Sequence, residues 1–193
     1  MAARADAGHA GSHGLSHAYV PMAILALIWG CNWPVLKLGV TEIPPLTFRT
    51  LTLPFAAAGL LAIARASGES IAIPRAWWPK VAVLAFFNIA GWNGLVLFGV
   101  REMEAGRSAI IAYTMPVWAT LVSLAVLHEP LGRRKVIGLV LGMIGMGLLL
   151  GEDFALIRRS PFGAAMIIGS AISCSIGTVL LRKWKPPIAQ NTL

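Results

Sequence analysis

Hydrophobic positions dominate long stretches of this chain and polar ones are pushed to the breaks between them. Six apolar runs stand out, at Val20–Val40, Leu46–Ala64, Val81–Val100, Ser108–Leu127, Val136–Gly151 and Phe162–Leu181. A helix needs about 20 apolar residues to cross the hydrocarbon core of a bilayer, and five of the runs come close to that. The fifth is shorter; at about 16 residues it rises only about 24 Å and needs flanking residues or neighbouring helices to span. It is also rich in glycine, with Gly138 and Gly142 in a GxxxG pair and Gly145 on the same face. That face is expected to lie against another helix, because small residues let backbones approach closely. The pattern predicts an all-α, polytopic membrane helix bundle of about six transmembrane helices.

Composition narrows the reading. Of 193 residues 57% are hydrophobic and 12% charged, with a mean hydropathy of +0.74. Soluble domains carry about 25% charge, so these charges suffice to cap helices but not to coat a globular surface. The net charge of +8 does not point to nucleic acid. Its Lys and Arg residues sit in short clusters between apolar runs, the arrangement of membrane loops rather than of a basic face. With the N-terminus taken as cytoplasmic, ten cations fall on the inner side: Arg4, Arg65, Arg75, Lys80, Arg133, Arg134, Lys135, Arg182, Lys183 and Lys185. Arg101, Arg107, Arg158 and Arg159 fall outside, and counting Lys37 and Arg49 with them makes six. The excess predicts a multi-pass protein with both ends cytoplasmic. Trp77 and Trp78 precede the third run at headgroup depth, and Pro44-Pro45 make a stiff turn before the second.

Residues 1–18 lack an apolar core and read as a disordered cytoplasmic tail rather than a signal peptide. His9, His13 and His17 are spaced to share a helical face, but Gly8, Gly11 and Gly14 disfavour a helix there. Cys31 and Cys174 lie in apolar runs, where they read as small buried hydrophobes rather than a disulfide pair. No metal site, cofactor site or catalytic pair emerges, so the chain is not read as an enzyme.

Polar side chains inside a bilayer are costly and each needs a reason. In the first run Trp29, Trp33 and Lys37 recur every four residues, Asn32 lies beside them, and Pro34 leaves the Gly30 carbonyl without its donor. This stripe either lines a polar, aromatic cavity or is a kinked helix whose Lys37 snorkels to the headgroups. Arg49 near the start of the second run either meets an anionic group or anchors the helix at the interface. Asn88, Trp92 and Asn93 in the third run and Tyr113, Thr114, Pro116 and Thr120 in the fourth either bond helix to helix or face the same cavity. If the stripes converge, the candidate substrate-binding residues are Trp29, Asn32, Trp33, Lys37, Arg49, Asn88, Trp92, Tyr113 and Thr114. None of the six runs contains Asp, Glu or His, so this chain is expected to supply no intramembrane proton-binding group.

Three stretches carry a family resemblance. LALIWGCNWPVLKLG, PPLTFRTLTLPFAA and GRSAIIAYTMPVWATLVSLAVLHEPLGRRKVIGLVLGMIGMGLLL resemble the first, second, fourth and fifth helices of the EamA family, within the drug/metabolite transporter superfamily. The resemblance runs from about Ala18 to Lys185. It implies two inverted repeats of five helices, with 19–151 as the first repeat and 152–193 as the start of the second. Ala171 in the sixth run and Arg182 just past its end stand as far apart as Ala26 and Lys37 in the first. On this likeness the chain is expected to be truncated after the sixth helix. The family implies transport of a small polar metabolite across the cell inner membrane by alternating access, with the lipid bilayer and a small-molecule substrate as partners and a possible dimer or missing C-terminal half. A non-transporting scaffold, or a subunit needing a second half, is the alternative.

Overall fold

The computed structural model describes residues 11–68, 72–128, 132–151 and 160–186, with 11–18 and 150 described by backbone alone. Among these residues the regular structure is entirely helical. The first span is α1 (Gly11–Glu42), which passes through Pro21 and Pro34 without breaking. Its membrane-compatible part is Tyr19–Glu42. The helix therefore begins inside the segment expected to be irregular, and takes in His13 and His17; His9 lies outside the described residues. The second span is α2 (Pro45–Ala66), with Pro44 extended ahead of it and Pro45 in its first turn, where the missing amide hydrogen costs nothing.

The third span is composite. A 3₁₀ turn at Arg75–Trp77 leads into α3 (Trp78–Ala85), a π-helical segment at Phe86–Gly91, and α4 (Trp92–Glu102). The fourth is split into α5 (Ala105–Ala112) and α6 (Met115–Leu127) by a turn at Tyr113–Thr114, just ahead of Pro116. Next come α7 (Arg133–Leu150) and α8 (Pro161–Trp184). Among the described residues, five helical stretches are long and apolar enough to cross a membrane. The one expected span missing from these is the fifth run, α7, which has 18 residues with Arg133, Arg134 and Lys135 filling its first turn, so its apolar part is too short to count with them.

The helix that organises the bundle is α8. It packs along α4, α6 and the π-helical segment and also touches α3 and α5. Its buried positions are mostly small: Gly163, Ala164, Ser170, Ala171, Ser173, Ser175 and Gly177. Close approach is most evident at Gly99, where a Cβ would sit 2.5 Å from Ile167 Cδ1 and 3.0 Å from the Gly163 carbonyl oxygen. The core clusters where α1, α4, α5 and α8 meet, around Val40, Leu97, Val100, Ile111 and Ile167. On the outside, large apolar side chains such as Leu27, Leu38, Phe55 and Leu148 stand exposed. A belt of that kind would aggregate in water and is the surface a bilayer covers. The chain is thus a multi-pass, all-α membrane bundle.

Two expectations about packing change. The glycine face of α7 is open: among the described residues, a Cβ on Gly138, Gly142 or Gly145 would meet nothing within 4 Å. Cys31 is exposed on the bundle's outer surface rather than buried; both cysteines are free thiols.

Candidate functional site

The polar stripes of the first three spans do meet. A cleft of about 300 Å³ opens between α1, α2 and α4. From α1 it takes Trp29, Asn32 and Trp33, with Ile28 and Leu36 beside them; from α2 it takes Arg49; from α4 it takes Trp92, Asn93 and Val96. Helical geometry explains the α1 wall, because residues at 29, 32, 33 and 36 share one face. Trp33 is buried and Trp29 half-exposed, so this wall runs from the core toward the bundle's surface.

Arg49 enters the cleft from the first turns of α2 and is half-buried. Its Nε is fully covered and has no hydrogen-bond partner among the described residues. A snorkelling anchor would carry its guanidinium outward to water. Arg49 instead lines the cleft with its Nε covered.

Four other candidates are used differently. Lys37 does not line the cleft. Its Nζ donates to the carbonyl oxygens of Val100 (3.0 Å) and Arg101 (2.8 Å), in the last turn of α4. That turn leaves carbonyls without amide partners, and a cation there also meets the negative end of the helix dipole. Asn88 faces α8: its side chain would collide with any Cβ on Gly177, its Nδ2 donates to the Leu84 carbonyl, and Cys174 Sγ lies 3.8 Å from its Oδ1. Asn88 and Trp92, four residues apart, would share a face at 3.6 residues per turn. The π-helical segment between them, in which the Trp92 amide donates to the Phe87 carbonyl five residues back, changes that phase and sends the two side chains to different neighbours.

Thr114 is spent locally, donating to the Ile111 carbonyl (2.7 Å) and accepting from Trp118 Nε1 (3.1 Å). Tyr113 meets Trp33 edge-on, with ring centroids 6.3 Å apart, but opens onto a second groove. That groove lies between α6 and α7 and also takes in Pro116, Thr120, Gly138 and Gly142. The Tyr113–Thr120 stripe therefore does not join the first cleft as expected; Trp33 and Tyr113 stand between the two spaces.

Asn93, passed over as a candidate in favour of its neighbours Asn88 and Trp92, is brought into the cleft by the same change of phase. A polar residue beside a tryptophan was the available signal; only the helix register could assign its direction.

The ends of the bundle are chemically distinct. Near the start of α3 and the end of α8, Lys80 lies over the rings of Trp77 (4.3 Å) and Trp184 (5.9 Å). At the same end Lys183 donates to the Val126 carbonyl near the end of α6. Arg65 and Arg133–Lys135 belong to this end by helix alternation. At the other end Arg107 pairs with Glu104 at 3.5 Å.

Comparison with known proteins places this geometry in a family context. The profile of the EamA-like transporter family matches residues 17–151. The chain is 29% identical to the uncharacterized transporter YoaV of Bacillus subtilis over 80% of this chain and 53% of the relative. It is 33% identical to the uncharacterized transporter YvbV of the same organism, over 84% and 52%. It is 26% identical to the uncharacterized inner membrane transporter YedA of Escherichia coli K12, over 80% and 50%. The chain thus spans about half the length of these curated relatives. No solved structure matches it significantly.

Proposed function

Because the chain belongs to the EamA-like transporter family, we propose that it carries the substrate cleft of a transporter for a small polar metabolite, working by alternating access. The observation that supports this is the convergence of Trp29, Asn32, Trp33, Arg49 and Trp92, from three separate helices, on one cleft within the membrane-spanning part of the bundle. Amides and indole N–H groups in hydrocarbon need partners, and a cleft that takes up a polar solute supplies them. The broken fourth span and the π-helical third span add backbone that can rearrange, as discontinuous helices do in carriers that rock about a midplane site. The relatives carry roughly twice the matched length, so in this proposal further helices, from a second half or a second copy, complete the path. The protein sits in the inner membrane, as the name of YedA states for that relative. The end that gathers Arg65, Lys80, Lys183 and the start of α7 faces the cytoplasm.

Single cysteines in a background lacking Cys31 and Cys174 test both parts. In sealed vesicles, cysteines at Asn32 and Asn93 should react with a small polar thiol reagent. One at Asn88, covered by α8, and one at Phe55, facing hydrocarbon where thiols rarely ionise, should not. Cysteines at Ser67 and Glu102, both exposed, should be labelled by an impermeant reagent from opposite sides. Inertness at both cleft positions would remove the cleft reading; labelling of Ser67 and Glu102 from the same side would remove the topology.

A further inference from the structure

We infer that the cleft selects a small monoanion, a carboxylate on a flat apolar body, with Arg49 as the group that takes the charge. This rests on the cleft being the substrate site and goes beyond it to the class of substrate. Three observations converge. Arg49 Nε is fully covered and has no partner among the described residues, while its side chain lines the cleft. A half-buried guanidinium with one donor unpaired is unfavourable until an acceptor of opposite charge arrives. The position adds to that demand: Arg49 stands in the second turn of α2, near the positive end of the helix dipole, where a cation is disfavoured and an anion favoured.

The rest of the lining fixes what accompanies the charge. Trp29, Trp33 and Trp92 present indole surface, and Asn32 and Asn93 present amides that both donate and accept. Three indoles alone would also suit a cation. Here a ligand cation would meet the guanidinium, and among the described residues no Asp or Glu lines the cleft to offset the repulsion. Lys37 decides the number of charges. Its ammonium is tied to the Val100 and Arg101 carbonyls, so one guanidinium faces the ligand and one negative charge balances it. The planar guanidinium fork matches a carboxylate through two parallel hydrogen bonds. A volume of about 300 Å³ lies at the small end of ligand pockets and suits a body of one or two rings.

The test uses the full chain in zwitterionic-lipid nanodiscs, with calorimetric titration of three probes of one shape: 2-naphthoate, 2-naphthamide and 2-naphthylmethylammonium. Empty discs give the partitioning background. The carboxylate should bind about tenfold or more tighter than the amide, as a charge-assisted pair in a water-poor site does, and the ammonium should bind weakest. Arg49→Gln should bring the carboxylate to within about twofold of the amide and leave the amide unchanged. Arg49→Lys, which keeps the charge without the fork, should retain part of the preference. Melting temperatures of both variants report their folding, and the Lys variant carries the test if the Gln variant unfolds. Equal binding of carboxylate and amide by the wild type, or a preference that survives Arg49→Gln, would overturn the anion assignment while leaving the cleft as a binding site. Failure of all three probes to bind would overturn the cleft and this inference together.

Discussion

The two helices at the end of the chain, α7 and α8, are built from similar residues and behave in opposite ways. Both are rich in small side chains. In α8 these positions are buried against the third and fourth spans. In α7 the glycines face open space, and its one substantial contact among the described residues is with α5. The difference lies in the partners. The small residues of α8 include serines, and the opposing spans are irregular where those serines arrive. Ser173 Oγ donates to the Phe87 carbonyl in the π-helical segment (2.8 Å). Ser175 Oγ lies 3.0 Å from the Met115 carbonyl, just past the break in the fourth span, and 2.7 Å from the Ala171 carbonyl of its own helix; its single hydrogen serves one of them at a time. Small residues permit close approach, but lipid competes equally well for an apolar surface. A hydrogen bond to a carbonyl that the neighbouring helix presents is something lipid cannot replace.

The hardest test of this contrast is Gly99→Leu. Its Cβ would meet both the Ile167 side chain and the Gly163 backbone oxygen of α8. A side chain can turn aside; a backbone cannot move without shifting the helix. Overpacking costs typically 1–3 kcal/mol and occasionally more, and this variant should lose about 3 kcal/mol or fail to yield monodisperse protein in detergent. Unchanged thermal stability would mean that α8 does not pack on α4 at this distance.

A smaller effect separates hydrogen bonding from mere fit. Ser173→Ala removes one interhelical hydroxyl and keeps the small size. Interhelical hydrogen bonds within membranes average about 0.6 kcal/mol in double-mutant cycles, and a loss near that value is expected, read from denaturant titration in mixed micelles. The same variant should raise amide exchange around Phe86–Gly91, because the Phe87 carbonyl loses one of its donors. A stability loss with unaltered exchange there would assign Ser173 a packing role only.

How much of this was legible beforehand follows from the same physics. Helix positions were, because the bilayer imposes a length and a polarity that no tertiary detail overrides: the run read as Leu46–Ala64 is the helix Pro45–Ala66, and Phe162–Leu181 is Pro161–Trp184. Five of nine candidate residues were placed in the cleft by one argument, the expense of polar groups in hydrocarbon. That argument says that a side chain needs a partner, not which one. Lys37 found the end of α4, and Thr114 found Ile111 and Trp118. Asn88 was misdirected by assuming a uniform helical period across a segment that winds differently. The glycine pattern of α7 promised packing because sequence shows which surfaces permit contact, while contact itself depends on what lies opposite.

The smallest expected effect is the one that most sharpens the contrast. Gly142 lies on the α7 side of the groove between α6 and α7, a space of about 390 Å³. A Cβ there meets nothing within 4 Å, so the rest of a leucine side chain can extend into the groove toward Val117 and Thr120 without displacing backbone. Leucine is also the better helix former. Gly142→Leu in this chain should therefore change stability by less than about 0.5 kcal/mol, the range of substitutions that touch no special feature, against the several-fold larger loss at Gly99. The same leucine introduced at both positions holds side-chain chemistry constant and leaves the neighbourhood as the variable. Comparable losses at the two sites would show that the α7 face is covered in the membrane-embedded protein, and that its glycines, like the small residues of α8, are held against a partner.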